Sequence, residues 1–481
     1  MATNDGHDYM LIGDSIAYCN PIVNRIIKAG AITEKDFSVD RETLDYSIEK
    51  ACFYREYCLA PVNNENKFKR IEPIEIEMNI ANLPQITFEV TDACNLKCKY
   101  CGYGDFYDDY DERRNKMLDE KKAILLLDYL IERWNSPLNS SQGREIFISF
   151  YGGEPLLNMD FIKKIVTYIE NSILLYNKYR FSMTTNGMLL DKYLPFLIEH
   201  DFQLLISLDG DPQGHSYRVD HNGNNSFDRV FKNIKSIQRN YPKYFETNIG
   251  FNAVLHNRNS VADIYQFFKD EFAKMPTISE LNNMGIKHEK QKEFFDTFRN
   301  VHESLYQSED YSKIKKDMFL KLGEVRDIGL FLINHSGNFF QTYNDFFINP
   351  ENAKRTPTGT CEPFGKKMYI TVNGKILPCE RVGHHYILGY VDKIGVQMDF
   401  EEIANKYNNY FEKLSNQCNN CYNADACIQC IFQIEHLETN PICRGYTNQS
   451  NFQDEINYKM QYLAAHHDLY AKLIHELILQ D

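Results

Sequence analysis

No cysteine lies between Cys101 and Cys361, although the chain of 481 residues has thirteen of them. Random usage does not leave such a gap, so the cysteines are grouped for a purpose. A basic excess is lacking too: 53 Lys and Arg stand against 67 Asp and Glu, a net charge of −14. That balance argues against a nucleic-acid partner, which needs a basic face. No uncharged apolar stretch reaches the roughly 20 residues that a bilayer-spanning helix requires, so no membrane partner is expected. The N-terminus, Met-Ala-Thr-Asn-Asp-Gly-His-Asp, has neither the positive charge nor the apolar run of a secretory signal. A cytoplasmic location is therefore expected, where thiols serve metal binding or catalysis rather than disulfides. Internal repeats and low-complexity tracts are also absent.

What is present divides the chain. At this length two to four domains are expected, and 43% apolar residues are ample for their cores. Residues 1–80 read as a small N-terminal domain, with a hairpin over Tyr9–Ala17, helices over Pro21–Ala29 and Arg41–Cys58, and a linker from Pro61. From 81 to 285 strands and helices alternate. Strands are expected at Ile86–Thr91, Ile146–Tyr151, Phe181–Thr185, Gln203–Leu208, Asn248–Leu255 and Thr277–Leu281, short apolar runs rich in β-formers. Helical periodicity fills about 117–134, 159–176, 189–200, 226–239 and 261–273. Such alternation gives an α/β fold with a parallel sheet. Six strands are too few to close an eight-stranded barrel, which predicts an open, partial (β/α)6 barrel. Residues 286–355 read as a helical bridging segment, 356–446 as a cysteine-rich domain and 447–481 as a C-terminal helix.

Cys94-Asn-Leu-Lys-Cys98-Lys-Tyr-Cys101 follows the first barrel strand, at the edge where parallel α/β barrels place their active sites. Three thiolates hold three irons of a [4Fe–4S] cube and leave the fourth open to cofactor or substrate. A structural zinc site is the competing reading, but zinc closes its shell with four ligands and no fourth lies nearby in the sequence. C-x3-C-x-aromatic-C after a strand resembles the signature of the radical S-adenosylmethionine (SAM) enzymes. The resemblance implies that the open iron chelates the amino and carboxylate groups of SAM. It also implies that an electron from this cluster splits the sulfonium C–S bond and releases a 5′-deoxyadenosyl radical. The protein then supplies position and exclusion of water. Tyr100 fills the aromatic slot, which in the family lies near the adenine.

Further motifs stand at the ends of later strands. Tyr151-Gly152-Gly153-Glu154-Pro155 ends the second. Its glycines let backbone carbonyls approach an ammonium group, and it resembles the family motif that binds the SAM amino group. Thr184-Thr-Asn186-Gly187 follows the third strand and Ser207-Leu-Asp209-Gly210 the fourth. Both resemble family positions near the ribose and the methionine carboxylate. His215-Ser-Tyr-Arg218, with Gly223, Phe227 and Arg229 behind it, resembles the peptide- and sulfatase-modifying branch. Either arginine suits the SAM carboxylate, and Arg218 is preferred. Each motif alone is a turn with a cap; four in order at successive strand ends are specific.

Cys361-x12-Gly374-x4-Cys379, then Cys418-x2-Cys421-x5-Cys427-x2-Cys430 and Cys443, resemble the seven-cysteine SPASM pattern. SPASM is the auxiliary-cluster extension of peptide-modifying radical SAM enzymes. One spacing departs: the family usually has three residues, not two, between the positions of Cys427 and Cys430. The resemblance implies one auxiliary [4Fe–4S] cluster on Cys418, Cys421, Cys427 and Cys443, and another on Cys361, Cys379 and Cys430. Lys367 stands where some relatives carry a further cysteine, so an open iron, a water or another side chain completes that second set. Glu380 directly follows Cys379, where sulfatase-maturing relatives have a carboxylate regarded as the general base. A solvated Glu beside a ligand is the plainer alternative, and C-x2-C-x5-C-x2-C would by itself also suit a zinc ribbon.

The resemblance spans residues 85 to about 445 and implies an enzyme with a large substrate. The principal expectation is a peptide maturase that cross-links a ribosomally made precursor peptide oxidatively, through thioether or carbon–carbon bonds. An electron donor such as flavodoxin or ferredoxin is implied, and the N-terminal domain is a candidate for leader-peptide recognition. The alternatives are a sulfatase-maturing, formylglycine-forming enzyme, a peptide epimerase, and a non-catalytic binding protein stabilised by metals. Cys52 and Cys58 read as packed thiols, and His384-His385 and His466-His467 as pairs pointing apart. Tyr107-Asp-Asp-Tyr-Asp-Glu112 reads as a solvated loop.

Overall fold

The computed structural model describes residues 8–12, 15–19, 68–318, 325, 327–330, 356–424, 427–465 and 473. The helices expected at Pro21–Ala29 and Arg41–Cys58, with Cys52 and Cys58, and the pair His466-His467 lie outside the described residues. Two compact units divide the chain: one comprises Met1–Arg70, Met318–Thr360 and Asn408–Asp481, the other Ile71–Asp317 and Cys361–Tyr407.

The first of these units contains an antiparallel hairpin of β1 (Asp8–Ile12) and β2 (Ser15–Cys19), where a hairpin over Tyr9–Ala17 is expected. Its helix Gln449–Ala465 covers the start of the expected C-terminal helix.

The other unit is built on six parallel strands in sequential order: β3 (Gln85–Thr91), β4 (Glu145–Gly152), β5 (Lys178–Thr185), β6 (Gln203–Ser207), β7 (Ile249–Val254) and β8 (Thr277–Ser279). Each pairs in parallel with the next, and β8 ends the sheet, so the barrel is open as expected. The helices Glu120–Trp134, Met159–Glu170, Leu190–Glu199, Phe227–Asn240 and Val261–Phe272 separate the strands. Two of them start on side-chain caps, Asp119 accepting from Lys121 N at 2.9 Å and Ser260 from Asp263 N at 3.1 Å, which satisfies donors the first turn leaves open.

The alternation along β3 explains its central place. Ile86, Phe88 and Val90 are fully buried, each such side chain contributing on the order of 1.5–3 kcal/mol. The intervening Gln85, Thr87 and Glu89 form a polar row on the other face.

The sheet extends beyond the sequence expectation. β9 (Met368–Ile370) adds to β3 in parallel, and β10 (Lys375–Leu377), β11 (Gly389–Val391) and β12 (Val396–Gln397) follow antiparallel, giving ten strands. The compact units therefore cut the expected 356–446 domain, because β9 carries Cys361–Tyr407 into the barrel sheet. Residues Ile286–Asp317, expected within a bridging segment, belong to the barrel unit. Phe294 of that stretch packs in a core with Phe106, Tyr107 and Leu281. Tyr107 is thus buried rather than solvated. Asp111 of the same loop accepts from Lys375 Nζ at 2.7 Å and Asn373 Nδ2 at 2.8 Å.

Candidate active site

The three cysteines share one loop at the C-terminal end of β3. Backbone bonds from Cys101 N to Cys98 O, 3.3 Å, and from Gly104 N to Cys101 O, 2.7 Å, coil it tightly. Lys97 N and Lys99 N donate to Val219 O at 2.7 Å and Tyr217 O at 3.2 Å, which ties the loop to the segment after β6. Donors surround the sulfurs: Leu96 N lies 3.4 Å and Asn186 Nδ2 3.8 Å from Cys94 Sγ, and Arg113 Nη2 lies 3.2 Å from Cys101 Sγ. Burial pushes Cys94 up to about 11 and Cys98 up to about 12, so metal loading here must displace protons.

The glycine motif after β4 has a steric reason. A Cβ on Gly152, whose φ is +128°, would lie 2.3 Å from Thr91 O, and one on Gly153 would lie 2.0 Å from Ala93 O. Gly153 N and Glu154 N donate to those same oxygens at 2.7 and 2.8 Å. The motif clamps the end of β4 to the root of the cysteine loop, an approach only glycine permits. Glu154 is fully buried. Its carboxylate accepts from Leu156 N at 3.1 Å, Thr185 Oγ1 at 2.7 Å and Asn186 N at 2.8 Å. It braces the end of β5 against β4 instead of presenting a free acceptor, and burial raises its pKa to about 7. Asn186 in turn donates to Asn95 Oδ1 at 2.7 Å, so the Asn186 turn is fastened to the cysteine loop.

Asp209 is the hub on the other side. Its carboxylate accepts from Arg218 Nε at 2.8 Å, Arg218 Nη2 at 3.0 Å, Val254 N at 2.9 Å and the Tyr100 hydroxyl. Burial would raise its pKa, but the Arg218 guanidinium outweighs burial and holds it below the ordinary carboxylate value. Arg218, expected on the SAM carboxylate, gives two of its donors to Asp209. Arg229 is exposed, 3.7 Å from Asp191. Tyr100, expected beside the adenine, has its hydroxyl on Asp209 and its ring 5.6 Å from that of His256. Ser207 sits half-buried at the end of β6.

Several residues here carry no sequence motif. Glu89 is buried, accepting from the Tyr103 hydroxyl and from Val372 N at 2.8 Å, and burial raises its pKa to about 7. Tyr103 and Tyr369 share a hydroxyl contact of 3.1 Å. His384 is buried and His385 exposed, as adjacent residues pointing apart should be.

Within the sheet lies a cavity of about 520 Å³, lined by Thr87, Ser149 and Ser182 together with apolar Phe150, Met183 and Leu205, and reaching Tyr151 and Thr184. Ser149 Oγ and Ser182 Oγ are 2.6 Å apart, and Gln85 Nε2 donates to Ser149 Oγ at 2.8 Å. Glu380 is on the wall, with Lys367 Nζ 3.1 Å from each carboxylate oxygen. Lys367, at the position where some relatives have a cysteine, is thus engaged by Glu380.

In the other unit Cys418, Cys421, Cys427 and Cys443 line a single cavity with Gln417 and Thr358. Gln417 Oε1 accepts from Cys443 N at 3.1 Å, and Thr447 N donates to Cys421 Sγ at 3.4 Å. A Cβ on Gly359 would fall 2.1 Å from Cys427 O, so glycine is needed for that approach. Cys361 and Cys379 belong to the barrel unit and Cys430 to the other. Among the described residues no three His, Cys, Asp or Glu side chains are gathered as a single-ion site, and no helix is long and apolar enough to cross a membrane.

Residues 88–270 match the radical SAM superfamily. The chain therefore carries a radical SAM domain, opening in β3 and closing in the helix Val261–Phe272. That domain marks the chain as an enzyme, and its relatives include enzymes of two kinds. The radical SAM cyclopropyl synthase TigE of Paramaledivibacter caminithermalis is 23% identical over 376 residues, 76% of this chain and 70% of that protein. A cysteine-type anaerobic sulfatase-maturating enzyme of Clostridium novyi is 26% identical over 344 residues, 68% of this chain and 82% of that one. Native anSMEcpe with bound AdoMet and Cp18Cys peptide shares the fold, with a TM-score of 0.52 over 82% of this chain and 99% of that one at 18% identity. The site fits the cluster this domain implies: three thiols on one tightly coiled loop after β3, with N–H donors already directed at two of the sulfurs.

Proposed function

We propose that this enzyme modifies a peptide, oxidatively cross-linking a ribosomally made precursor. The cavity inside the sheet carries the reading. Its volume of about 520 Å³ lies in the range of substrate pockets, its walls mix polar side chains such as Ser149 and Ser182 with apolar ones such as Phe150 and Met183, as a peptide needs, and it reaches Tyr151 and Thr184 near the ends of β4 and β5. A [4Fe–4S] cluster held by Cys94, Cys98 and Cys101, with SAM on its open iron, would supply the 5′-deoxyadenosyl radical. Tyr100, Gly152, Gly153, Asn186 and Ser207 border the space for SAM, and Glu154, Asp209 and Arg218 hold those residues in place. Glu380, on the cavity wall, accepts the proton that leaves as the substrate is oxidised, and Lys367 keeps its carboxylate oriented. Cys418, Cys421, Cys427 and Cys443 hold one auxiliary [4Fe–4S] cluster, the four thiols on one cavity supporting this set. Cys361, Cys379 and Cys430 are assigned a second from the resemblance of their positions to the SPASM pattern. Clusters held by these cysteines would provide an acceptor for the second electron, and a flavodoxin or ferredoxin would provide the first. Residues 1–80 are assigned to leader-peptide recognition, and the thiol-rich composition supports a cytoplasmic location.

The test is the intact mass of a candidate precursor peptide co-expressed anaerobically with the enzyme. Loss of two hydrogens per event, absent with alanine at Cys94, Cys98 and Cys101, is expected. An unchanged mass contradicts cross-linking of that peptide. A second reading, oxidation of a sulfatase Cys or Ser to formylglycine, is favoured by the Clostridium novyi relative, 82% of which this chain covers. It predicts the same enzyme acting on a sulfatase-derived peptide instead.

A further inference from the structure

Arg113 lies twelve residues past Cys101 in the chain and returns to it, Nη2 to Sγ, at 3.2 Å. Its guanidinium carbon sits 4.7 Å from the centre of the Tyr103 ring, a cation–π contact that fixes the plane of the group. The neighbours on either side behave differently: Glu112 and Arg114 are exposed and pair with each other at 3.1 Å. Arg113 is half-buried, and among the described residues no carboxylate forms an ion pair with it. Its Nε is buried and has no hydrogen-bond partner. A guanidinium removed from water in this way requires an anionic partner, and among the described residues the thiols of Cys101 and Cys94, both assigned to the cluster, stand beside it.

The backbone that delivers Arg113 is anchored to the same strand end as the cysteines. Asp92 accepts from Arg114 N at 3.0 Å and from Lys116 N at 2.7 Å, and Thr91 Oγ1 donates to Lys116 O at 2.6 Å. The return of the chain is therefore fixed by the end of β3, not by the side chain itself.

We infer that Arg113 is the counter-ion and sulfur hydrogen-bond donor of the radical SAM cluster, and that it raises the reduction potential of that cluster. This rests on the reading that Cys94, Cys98 and Cys101 hold a [4Fe–4S] cube. A cube on three thiolates gains one negative charge on reduction. A fixed positive charge and an N–H···S bond stabilise the reduced form more than the oxidised one. The effect is to ease electron entry from the donor. Arg113 is a positioning and tuning residue, and no bond to substrate is assigned to it.

The experiment is an EPR-monitored redox titration of the fully loaded enzyme, following the reduced-cluster signal that changes when SAM is added. Arg113→Met is expected to move the midpoint of that signal negative by about 59 mV or more, a tenfold change in the reduced-to-oxidised ratio for one electron. Arg113→Lys, which keeps the charge, is expected to recover most of the shift. If Arg113→Met does not load iron, Arg113→Gln is read by the same criterion. An unchanged midpoint in the neutral variant, at wild-type iron content, overturns the inference. If no signal of the wild-type enzyme responds to SAM, it is the cluster reading that fails, and the two failures are thereby distinguished.

Discussion

Arg218 and Asp209 meet through two parallel hydrogen bonds, 2.8 and 3.0 Å long, with side-chain exposures of 9% and 0%. This buried pair joins the segment that ties down the cysteine loop to the end of β6. Removing one partner leaves the other charged and unpaired in the interior, which costs about 3–5 kcal/mol. Asp209→Ala should therefore lower the urea midpoint of the barrel unit with little change in slope. The double variant Asp209→Leu/Arg218→Met should recover much of the loss, since replacing both charges by apolar groups is often close to neutral. A double variant as unstable as Asp209→Ala contradicts the account.

Glu89 gives a pH signature. Burial lifts its pKa from the ordinary 4.5 to about 7, so the folded state holds its proton more tightly than the unfolded state. Its contribution to stability is full below pH about 4.5 and is lost as the pH rises through about 7. Glu89→Gln does not titrate. The stability of Glu89→Gln relative to the wild type should rise between pH 5 and pH 8, by on the order of 3 kcal/mol. Thermal melts of both proteins at the two pH values check this, and parallel changes refute it.

Gly153→Ala should empty the first cysteine site. The added Cβ would meet Ala93 O at 2.0 Å, and the loop rooted there must shift. Iron analysis of the anaerobically purified variant is expected to fall by one cluster's complement, with loss of the SAM-responsive EPR signal. Full iron content would show that the close approach is dispensable.

The four thiols of the other unit should behave independently of that site. Cys418→Ala or Cys427→Ala is expected to lower the iron content while the SAM-responsive signal persists, because the cavity they line contains none of the three loop cysteines. Disappearance of that signal would contradict the separation.

Much of this was legible before the structure. Strand positions came from runs such as Ile86–Val90, and the motif order placed Cys94, Gly152, Asn186 and Asp209 at successive strand ends, where they stand. The roles within the motifs were harder to read. Glu154 and Asp209 look like ligand contacts in sequence, yet Glu154 accepts three and Asp209 four hydrogen bonds from protein donors that only the folded chain brings to them. Glu89 and Arg113 have no local pattern to mark them, since one depends on Val372, 283 residues away, and the other on the return of a loop. The strands β9 to β12 were missed because two or three residues are too few to show a period.

Reductive cleavage of SAM is the most direct measurement of the central claim. The enzyme, reconstituted with iron and sulfide and reduced anaerobically in the presence of SAM, is assayed for 5′-deoxyadenosine. The account predicts 5′-deoxyadenosine from the wild type and none when Cys94, Cys98 and Cys101 are alanine. Equal amounts from both proteins, or none from a wild type with full iron content, would contradict it.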